Sequence, residues 1–146
     1  MECDERISMN SICVFCSSSN SIDDVYFETA TDLGHRIGQL GLGLVYGGAS
    51  IGLMGAIARA THEKGGRVLG VIPEFFRDKD KNFEYSKADE LIIVETMRIR
   101  KAVMDERADA FIALPGGIGT LEEVIEILSM KQLGLTEKPL VFVNTN

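Results

Sequence analysis

Leu42-Gly-Leu-Val-Tyr46 runs directly into Gly47-Gly-Ala-Ser-Ile-Gly-Leu-Met-Gly55, so that a short apolar run ends in a glycine-rich turn. Helical periodicity follows the turn until Gly65-Gly66, and Arg67 to Ile72 is a second apolar run, which Pro73 closes. An apolar run, a glycine turn, a helix and another apolar run are typical of a parallel β-α-β unit. This stretch therefore predicts a parallel sheet wrapped by helices.

The same alternation continues on both sides of this unit. Ser11 to Cys16 is predicted as the first strand, and the next helix is predicted to begin at a capping box, Ser21-Ile-Asp-Asp24, and to end at Gly41. Residues 74–90 are charged and lack a clear period, so we predict a loop there that is placed to cover a site. The later elements are predicted as strand Leu91 to Val94, helix Met97 to Ala108, strand Ala110 to Leu114, helix Thr120 to Leu133 and strand Pro139 to Asn144.

Six strands joined by right-handed crossovers predict an α/β fold, a Rossmann-like doubly wound parallel sheet flanked by helices, with strand order 3-2-1-4-5. We expect residues 1–146 to form a single domain, because the length fits one core and no repeat or linker divides the chain. Residues 1–10 are expected to be a flexible N-terminal segment. The chain stops right after the sixth strand, without a helix to cover it, which suggests C-terminal truncation.

Composition limits the kinds of partner. A net charge of −7, with 45% hydrophobic and 25% charged residues, is typical of a soluble globular protein without a broad basic face, so we expect no binding to nucleic acid or membranes. The acidic start, Met1-Glu-Cys-Asp-Glu-Arg6, is unlike a signal peptide, and no apolar run approaches the roughly 20 residues of a membrane-spanning helix. A cytoplasmic location is therefore expected, and local charge must hold any anionic ligand.

Cys13 and Cys16 form a C-x-x-C pair, which in some proteins marks a thioredoxin-like redox site. In a strand, however, residues three apart point to opposite faces, so the redox alternative is disfavoured. Cys3 has no second cysteine pair with which to complete a zinc site, and His35 and His62 are predicted to lie on helix surfaces. We therefore predict no metal site.

Ligands of parallel sheets bind beyond the carboxyl ends of the strands. Four segments follow predicted strands at that edge: Cys16-Ser-Ser-Ser-Asn20, Gly47-Gly48, Met97-Arg-Ile-Arg-Lys101 and Pro115-Gly-Gly-Ile-Gly-Thr120. The last suits a phosphate, because its glycines let backbone N–H groups approach an anion at the positive end of the next helix. The T-x-x-E spacing also allows a capping box between Thr120 and Glu123, and spacing alone does not decide between a cap and a catalytic Glu123.

Arg98, Arg100 and Lys101 crowd the positive N-terminal end of the helix after the fourth strand, where each cation costs about 0.3 to 1 kcal/mol. In an acidic protein this cluster indicates that an anion or a carboxylate lies opposite; the alternative is a solvated basic face. The glycine turn at residues 47–55 does not fit the dinucleotide pattern G-x-G-x-x-G, and the chain has no G-x-x-x-x-G-K-[ST]. Dinucleotide binding and NTP hydrolysis are therefore disfavoured.

Pro115-Gly-Gly-Ile-Gly-Thr-Leu-Glu-Glu123 resembles the PGGxGTxxE signature of the LOG family, once widely labelled lysine decarboxylases. Nothing in the sequence marks a pyridoxal-phosphate lysine, so the old label is unsupported. The resemblance covers nearly the whole chain. Further segments match the family in order and spacing: Cys13-Val-Phe-Cys-Ser-Ser18, Tyr46 to Gly55, Gly70-Val-Ile-Pro73 and Asp109 to Leu114.

The resemblance implies hydrolysis of the N-glycosidic bond of a nucleoside 5'-monophosphate to a free base and ribose 5-phosphate. Cytokinin riboside 5'-monophosphates are the family's best-known substrates, and AMP is often accepted. The resemblance also implies that Arg100 and Glu123 are the catalytic pair, that no cofactor is needed, and that the protein is a homodimer whose sites draw residues from both subunits. The substrate-binding residues that it implies are Lys101, Gly116, Gly117, Ile118, Gly119, Thr120, Leu121, Glu122, Ser129, Ser17, Gly48 and Met54.

The residue types of the implied pair suit this reaction. A carboxylate at Glu123 can stabilise an oxocarbenium-like transition state and orient or deprotonate the attacking water, and Arg100 can fix the substrate and balance charge. The chain departs from the family pattern at Arg98, Ser17 and Ala49, which many members replace with His, Gly and Gly. Two alternatives stay open: a module that binds nucleotides without cleaving them, and a dehydrogenase-like NAD binder.

Overall fold

The computed structural model describes residues 9–145, which form one sheet of six strands with helices on both faces. In chain order the elements are β1 Ser11–Phe15, α1 Asp24–Gln39, β2 Gly43–Tyr46, α2 Gly52–Glu63, β3 Arg67–Pro73, α3 Glu74–Lys79, β4 Glu90–Val94, α4 Met97–Arg107, β5 Ala110–Ala113, α5 Ile118–Gln132 and β6 Leu140–Phe142. All strand pairs are parallel, and the strand order is β4-β3-β2-β1-β5-β6. The predicted α/β class and Rossmann-like sheet are confirmed.

The two faces of the sheet form two hydrophobic cores. Successive residues of a strand point to opposite faces, so Ile12 and Val14 of β1 pack with α1 and α2, whereas Cys13 and Phe15 pack with α4 and α5. Cys16, just after the strand, lies in the first core. Cys13 and Cys16 are therefore free thiols in different cores, as the strand period predicts, and burial raises the pKa of both.

The expected strand order 3-2-1-4-5 is wrong. β4 pairs with β3 at the edge of the sheet, and β5 takes the place beside β1. The prediction took the common doubly wound order, in which the chain returns to the centre of the sheet after the third strand. In the structure α3 instead connects β3 to the neighbouring β4, and the return to the centre follows through α4. Asp89 secures the start of β4, since its Oδ2 lies 2.8 Å from His62 Nε2 and accepts a hydrogen bond of 2.7 Å from Val68 N.

Residues 74–90, predicted as a loop, contain a helix and a bonded segment. α3 occupies their beginning, and residues 80–88, here called the strap, return to β4. The strap forms an antiparallel bridge between Ala49 and Glu84. On either side of the bridge, Ser50 N donates to Phe83 O at 2.8 Å and Tyr85 N donates to Gly48 O at 2.9 Å. The strap is thereby fixed to the turn that follows β2.

The capping box predicted at Ser21-Ile-Asp-Asp24 is wrong, and the one that the T-x-x-E spacing allowed at Thr120 does not form either. α1 begins at Asp24 after the N-cap Asp23, and no side chain caps it. α5 begins at Ile118 after the N-cap Gly117, so Thr120 and Glu123 both lie inside the helix. A Cβ atom on Gly116 would lie 2.3 Å from Thr120 Oγ1, so glycine at this position makes room for Thr120 inside the first turn of the helix.

No helix within residues 9–145 is both long enough and apolar enough to cross a membrane. The expected flexible segment, residues 1–10, falls largely on residues 1–8, which lie outside the described residues together with Cys3. The cytoplasmic location and the single domain of residues 1–146 stay predictions.

Candidate active site

A cleft of about 220 Å³ opens at the carboxyl ends of the central strands, between β1 and β5, where the strand order of the sheet reverses. Open α/β sheets bind their ligands at this position, because the loops after the two strands diverge there. The cleft is lined by Cys16, Ser17, Ser18, Met54, Phe76, Phe83, Met97, Arg100, Gly117, Gly119, Thr120, Glu122 and Glu123.

Arg100, in the first turn of α4, is only 4% exposed although it carries a charge. Two backbone carbonyl groups hold its guanidinium: Nε donates to Val71 O at 3.0 Å, and Nη2 donates to Gly47 O at 2.7 Å. Burial lowers the pKa of Arg100, and the nearby carboxylate of Glu123 acts in the opposite direction. A buried cation is costly unless it is hydrogen-bonded and balanced by an opposite charge. Glu123 supplies an opposite charge nearby when its carboxyl group is ionised.

The turn after β2 allows this close approach of Arg100 to the backbone. A Cβ atom on Gly47 would lie 2.1 Å from Arg100 Nη2 and 2.8 Å from Met54 Cε. Gly48 has a φ of +83°, and a Cβ atom there would lie 2.3 Å from Ile72 Cγ1. Glycine at these two positions therefore makes room for the guanidinium and for the packing of the turn on β3.

Glu123 lies in the second turn of α5 and is 6% exposed. Burial raises the pKa of its carboxyl group to about 7, while the charge of Arg100 lowers it. A pKa near neutrality suits a group that exchanges protons at neutral pH. Because α5 begins before Thr120, the alternative of Glu123 as a capping partner is wrong.

The N-terminal end of α5 borders the same cleft. Its N-cap is Gly117, which has no side chain that could accept from the first N–H groups. Free N–H groups at a helix start, together with the helix dipole, favour an anion. Gly117, Gly119 and Thr120 line the cleft at this end, and Ser17, from the turn after β1, lines it as well. The arrangement offers an anion site beside the Arg100–Glu123 pair.

Six of the predicted substrate-binding residues lie outside the wall of this cleft: Gly48, Lys101, Gly116, Ile118, Leu121 and Ser129. Lys101 Nζ forms ion pairs with the carboxylates of Glu122 and Glu126, which join α4 to α5. Ile118 is 82% exposed, and Ser129 lies in a shallow surface hollow on α5. The basic cluster of α4 therefore divides: carboxylates lie opposite Lys101, as its position indicated, whereas Arg98 is exposed, as in the alternative of a solvated basic face. The binding roles of all twelve predicted residues, inside or outside the cleft wall, stay predictions, as do the catalytic roles of Arg100 and Glu123.

The sequence analysis missed the aromatic part of the cleft. Phe76, on α3, and Phe83, on the strap, both line it, and their rings stack with centroids 5.1 Å apart and planes at 10°. Residues 74–90 carry no local period that could have indicated this contact. By contrast, Cys16 and Ser18 belong to a segment that the strand pattern already places at the ligand edge.

A larger cavity, of about 430 Å³, lies at the opposite edge of the sheet. Its lining includes charged side chains that are already paired: Arg107 Nη2 lies 2.8 Å from Glu90 Oε2, and Asp89 bonds to His62 and Val68. The buried Glu123 carboxyl, with its raised pKa, lies in the smaller cleft. We therefore place the chemistry there, because reactive groups are typically buried with perturbed pKa values.

The fold and the cleft define a class, that of Rossmann-like α/β proteins whose ligand edge is suited to an anion. Within it, a family model described as "Possible lysine decarboxylase" matches residues 54–146. The chain belongs to this family, the LOG family whose signature the sequence resembles.

Curated relatives support this assignment. Cytokinin riboside 5'-monophosphate phosphoribohydrolase LOG5 of Arabidopsis thaliana is 47% identical over 135 residues, which cover 92% of this chain and 58% of that protein. Cytokinin riboside 5'-monophosphate phosphoribohydrolase LOG of Oryza sativa subsp. japonica is 42% identical over 143 residues, which cover 98% of this chain and 58% of that protein. The chain thus spans about three fifths of the length of these relatives.

Solved structures share the fold. The molybdenum cofactor carrier protein of Chlamydomonas reinhardtii superposes with a TM-score of 0.74 at 25% identity, covering 92% of this chain and 76% of that protein. The Rossmann-like sheet is therefore common to proteins that differ in what their names say they bind, and the fold alone does not identify the ligand.

Proposed function

We propose that the protein hydrolyses the N-glycosidic bond of a nucleoside 5'-monophosphate and releases the free base and ribose 5-phosphate. The observation that carries this proposal is the burial of Arg100 and Glu123 in one cleft, directly beside the uncapped start of α5. A phosphate at the helix start would place the ribose next to the two charged groups. The names of the curated relatives favour cytokinin riboside 5'-monophosphates as substrates, with AMP as the simplest member of the class.

The proposed reaction needs water and no other co-reactant. The oxygen of a water molecule bonds to C1' of the ribose, the bond from C1' to the base nitrogen breaks, and its electron pair leaves with the base. Glu123 as a carboxylate accepts one proton of the water, and the leaving base takes up a proton from solvent. Glu123 then returns its proton to solvent, so one water is consumed in each turnover and the carboxylate is regenerated. Because positive charge develops on the ribose in such a reaction, an adjacent carboxylate lowers its barrier.

Arg100 has a positioning and electrostatic role in this scheme. Its hydrogen bonds to Val71 O and Gly47 O fix the guanidinium in the cleft wall, so its direction does not depend on the ligand. A fixed cation keeps part of the Glu123 population ionised against the effect of burial, since its charge lowers the carboxyl pKa. Preorganised charges of this kind need no rearrangement during the reaction.

We also propose that two copies of the chain pair through the outer face of α5. Ile118, Leu121 and Ile125 recur at helical spacing and are 82%, 53% and 54% exposed, so they form an apolar stripe in solvent. The cleft of about 220 Å³ is also smaller than the roughly 300 to 1,000 Å³ of ordinary small-molecule sites. A second copy bound to the stripe would cover these apolar side chains and add its own residues to the substrate site, in line with the homodimers of the family.

The test of the hydrolase is the release of ribose 5-phosphate from AMP and from isopentenyladenosine monophosphate, followed by chromatography. We expect release by the wild-type protein and a loss of at least about 100-fold in Glu123→Gln, which keeps the shape of the side chain but cannot take a proton. Glu28→Gln, on the exposed face of α1, is the matched control. Saturable AMP binding without turnover would favour the non-catalytic nucleotide-binding module, and turnover that survives in Glu123→Gln would remove this residue from the mechanism.

A further inference from the structure

The stacked rings of Phe76 and Phe83 are the main aromatic surface of the cleft. Both side chains are half-buried and line the cleft that contains Arg100 and Glu123. The neighbouring Phe75 forms an edge contact with Phe76 but is 64% exposed and does not line the cleft. α3 thus carries one aromatic side chain that lines the cleft and one that lies outside it.

The strap holds the Phe83 ring in a fixed place. Its backbone bonds to Ser50 N and Gly48 O flank the bridge between Ala49 and Glu84, and Ser50 Oγ donates to Asn82 O at 3.0 Å. Tyr85, two residues after Phe83, is 8% exposed, and its hydroxyl lies 2.9 Å from His62 Nδ1. Anchors on both sides of Phe83 make the aromatic surface a preorganised part of the cleft rather than a mobile side chain.

The other parts of the cleft suit the phosphate and the reacting bond of the substrate, so the aromatic surface is the part that remains for the base. The start of α5 suits the phosphate, and Arg100 and Glu123 occupy the position of the reacting bond. Apart from Glu122, whose carboxylate pairs with Lys101, the remaining large side chains of the lining are apolar: Phe76, Phe83, Met54 and Met97. We propose that Phe76 and Phe83 form the wall against which the base of the nucleotide lies, an inference that rests on the proposed hydrolase function.

The chemistry of this wall determines how the base is selected. Phenylalanine has no hydrogen-bonding group, so the wall recognises a flat aromatic ring by stacking and apolar contact and not by the pattern of its ring nitrogens. The thioethers of Met54 and Met97 are flexible and polarizable, so they adapt to apolar substituents of different shape. The wall therefore contributes to the binding of the nucleotide but contributes nothing to the binding of ribose 5-phosphate, which has no base.

Binding measurements separate this role from a general effect on the fold. AMP and ribose 5-phosphate are titrated calorimetrically into proteins that all carry Glu123→Gln, so that turnover is too slow to disturb the titration. We expect Phe83→Ala and Phe76→Ala to weaken AMP binding about tenfold, as the removal of an aromatic stacking partner typically does, and to leave ribose 5-phosphate binding unchanged. Phe75→Ala is the matched control and should change neither affinity. Phe83→Leu, which keeps apolar volume but removes the ring, guards against misfolding of the alanine variant and should still weaken AMP binding.

The outcomes distinguish this inference from the function on which it rests. In proteins that retain Glu123, the same Phe variants should raise the KM for AMP with little change in kcat, because the base contact exists before and during the reaction. If AMP is cleaved but Phe83→Ala and Phe83→Leu resemble Phe75→Ala, the wall is refuted and the hydrolase stands. If the phenylalanine variants weaken ribose 5-phosphate as much as AMP, the wall is refuted as well. If the wild-type protein neither binds nor cleaves AMP, both proposals fail together.

Discussion

Replacing Glu123 with Gln should stabilise the folded protein, and the gain should grow with pH. The carboxyl group has an ordinary pKa of 4.5, and burial raises it to about 7 in the folded chain. Between these two pH values the folded state binds more protons than the unfolded state, so the free energy of unfolding falls as the pH rises. Glutamine has no charge at any of these pH values, so the variant does not have this loss.

The size of the effect follows from the two pKa values. Each pH unit between them corresponds to 1.36 kcal/mol, so ionised Glu123 costs the folded wild-type protein about 3 kcal/mol above pH 8. Below pH 4.5 the carboxyl group is protonated in both states and the cost disappears. The free energy of unfolding of Glu123→Gln, relative to wild type, should therefore be higher by about 3 kcal/mol at pH 8.5 than at pH 4.5.

Urea denaturation at pH 4.5, 6, 7 and 8.5 measures this difference. The difference between the two pH limits is the relevant quantity, because any constant effect of the amide on packing cancels. Glu28→Gln, which removes an exposed carboxylate from α1, should show a difference of less than about 0.5 kcal/mol. If the Glu123→Gln difference also stays below about 1 kcal/mol, Arg100 fully offsets the burial of Glu123, and the argument for a carboxyl group near neutral pKa is refuted.

Two further substitutions test the packing of the site and the pairing of chains. Ile125→Asp should convert a homodimer to a monomer in sedimentation equilibrium, because it puts a charge in the apolar stripe of α5. Leu40→Asp, at an exposed residue at the end of α1, should leave the homodimer intact. A monomeric wild-type protein would contradict the pairing. Gly47→Ala should lose roughly 1 to 3 kcal/mol of stability and most AMP turnover, because its Cβ would lie 2.1 Å from Arg100 Nη2. Gly43→Ala, at the start of the strand that leads into Gly47 and with its nearest neighbour at 3.6 Å, should keep both. Equal losses in the two variants would show that the contact with Arg100 is not the cause.

The local patterns of the chain predicted the elements better than their ends. Each predicted strand lies within a few residues of an observed one, because the apolar period and the turn residues are properties of short segments. The capping box predicted at Ser21 and the one that spacing allowed at Thr120 do not form, because α1 begins only after Asp23 and α5 begins before Thr120. The position of a helix end also depends on where the neighbouring strand ends in the folded sheet, and the spacing of a few side chains does not carry that information.

The candidate site divides in the same way. The sequence predicted that Arg100, Glu123 and the glycine turn lie at one edge of the sheet, because the carboxyl ends of parallel strands meet there. It could not show that Lys101 pairs with Glu122 and Glu126, nor that Phe83 lines the cleft from the strap. These contacts join segments far apart in the chain, and neither segment has a local sequence pattern that indicates its partner.

The sequence by itself determined the alternation of strands and helices, the parallel sheet and the four segments at its ligand edge, since apolar period and glycine turns act over a few residues. The tertiary structure alone decided that β5, and not β4, lies beside β1. It also decided that Arg100 is buried against the carbonyls of Val71 and Gly47, and that Phe76 and Phe83 share a cleft with Glu123. The physical reason is that these contacts join residues far apart in the chain, and their formation depends on how all elements pack together on the two faces of one sheet.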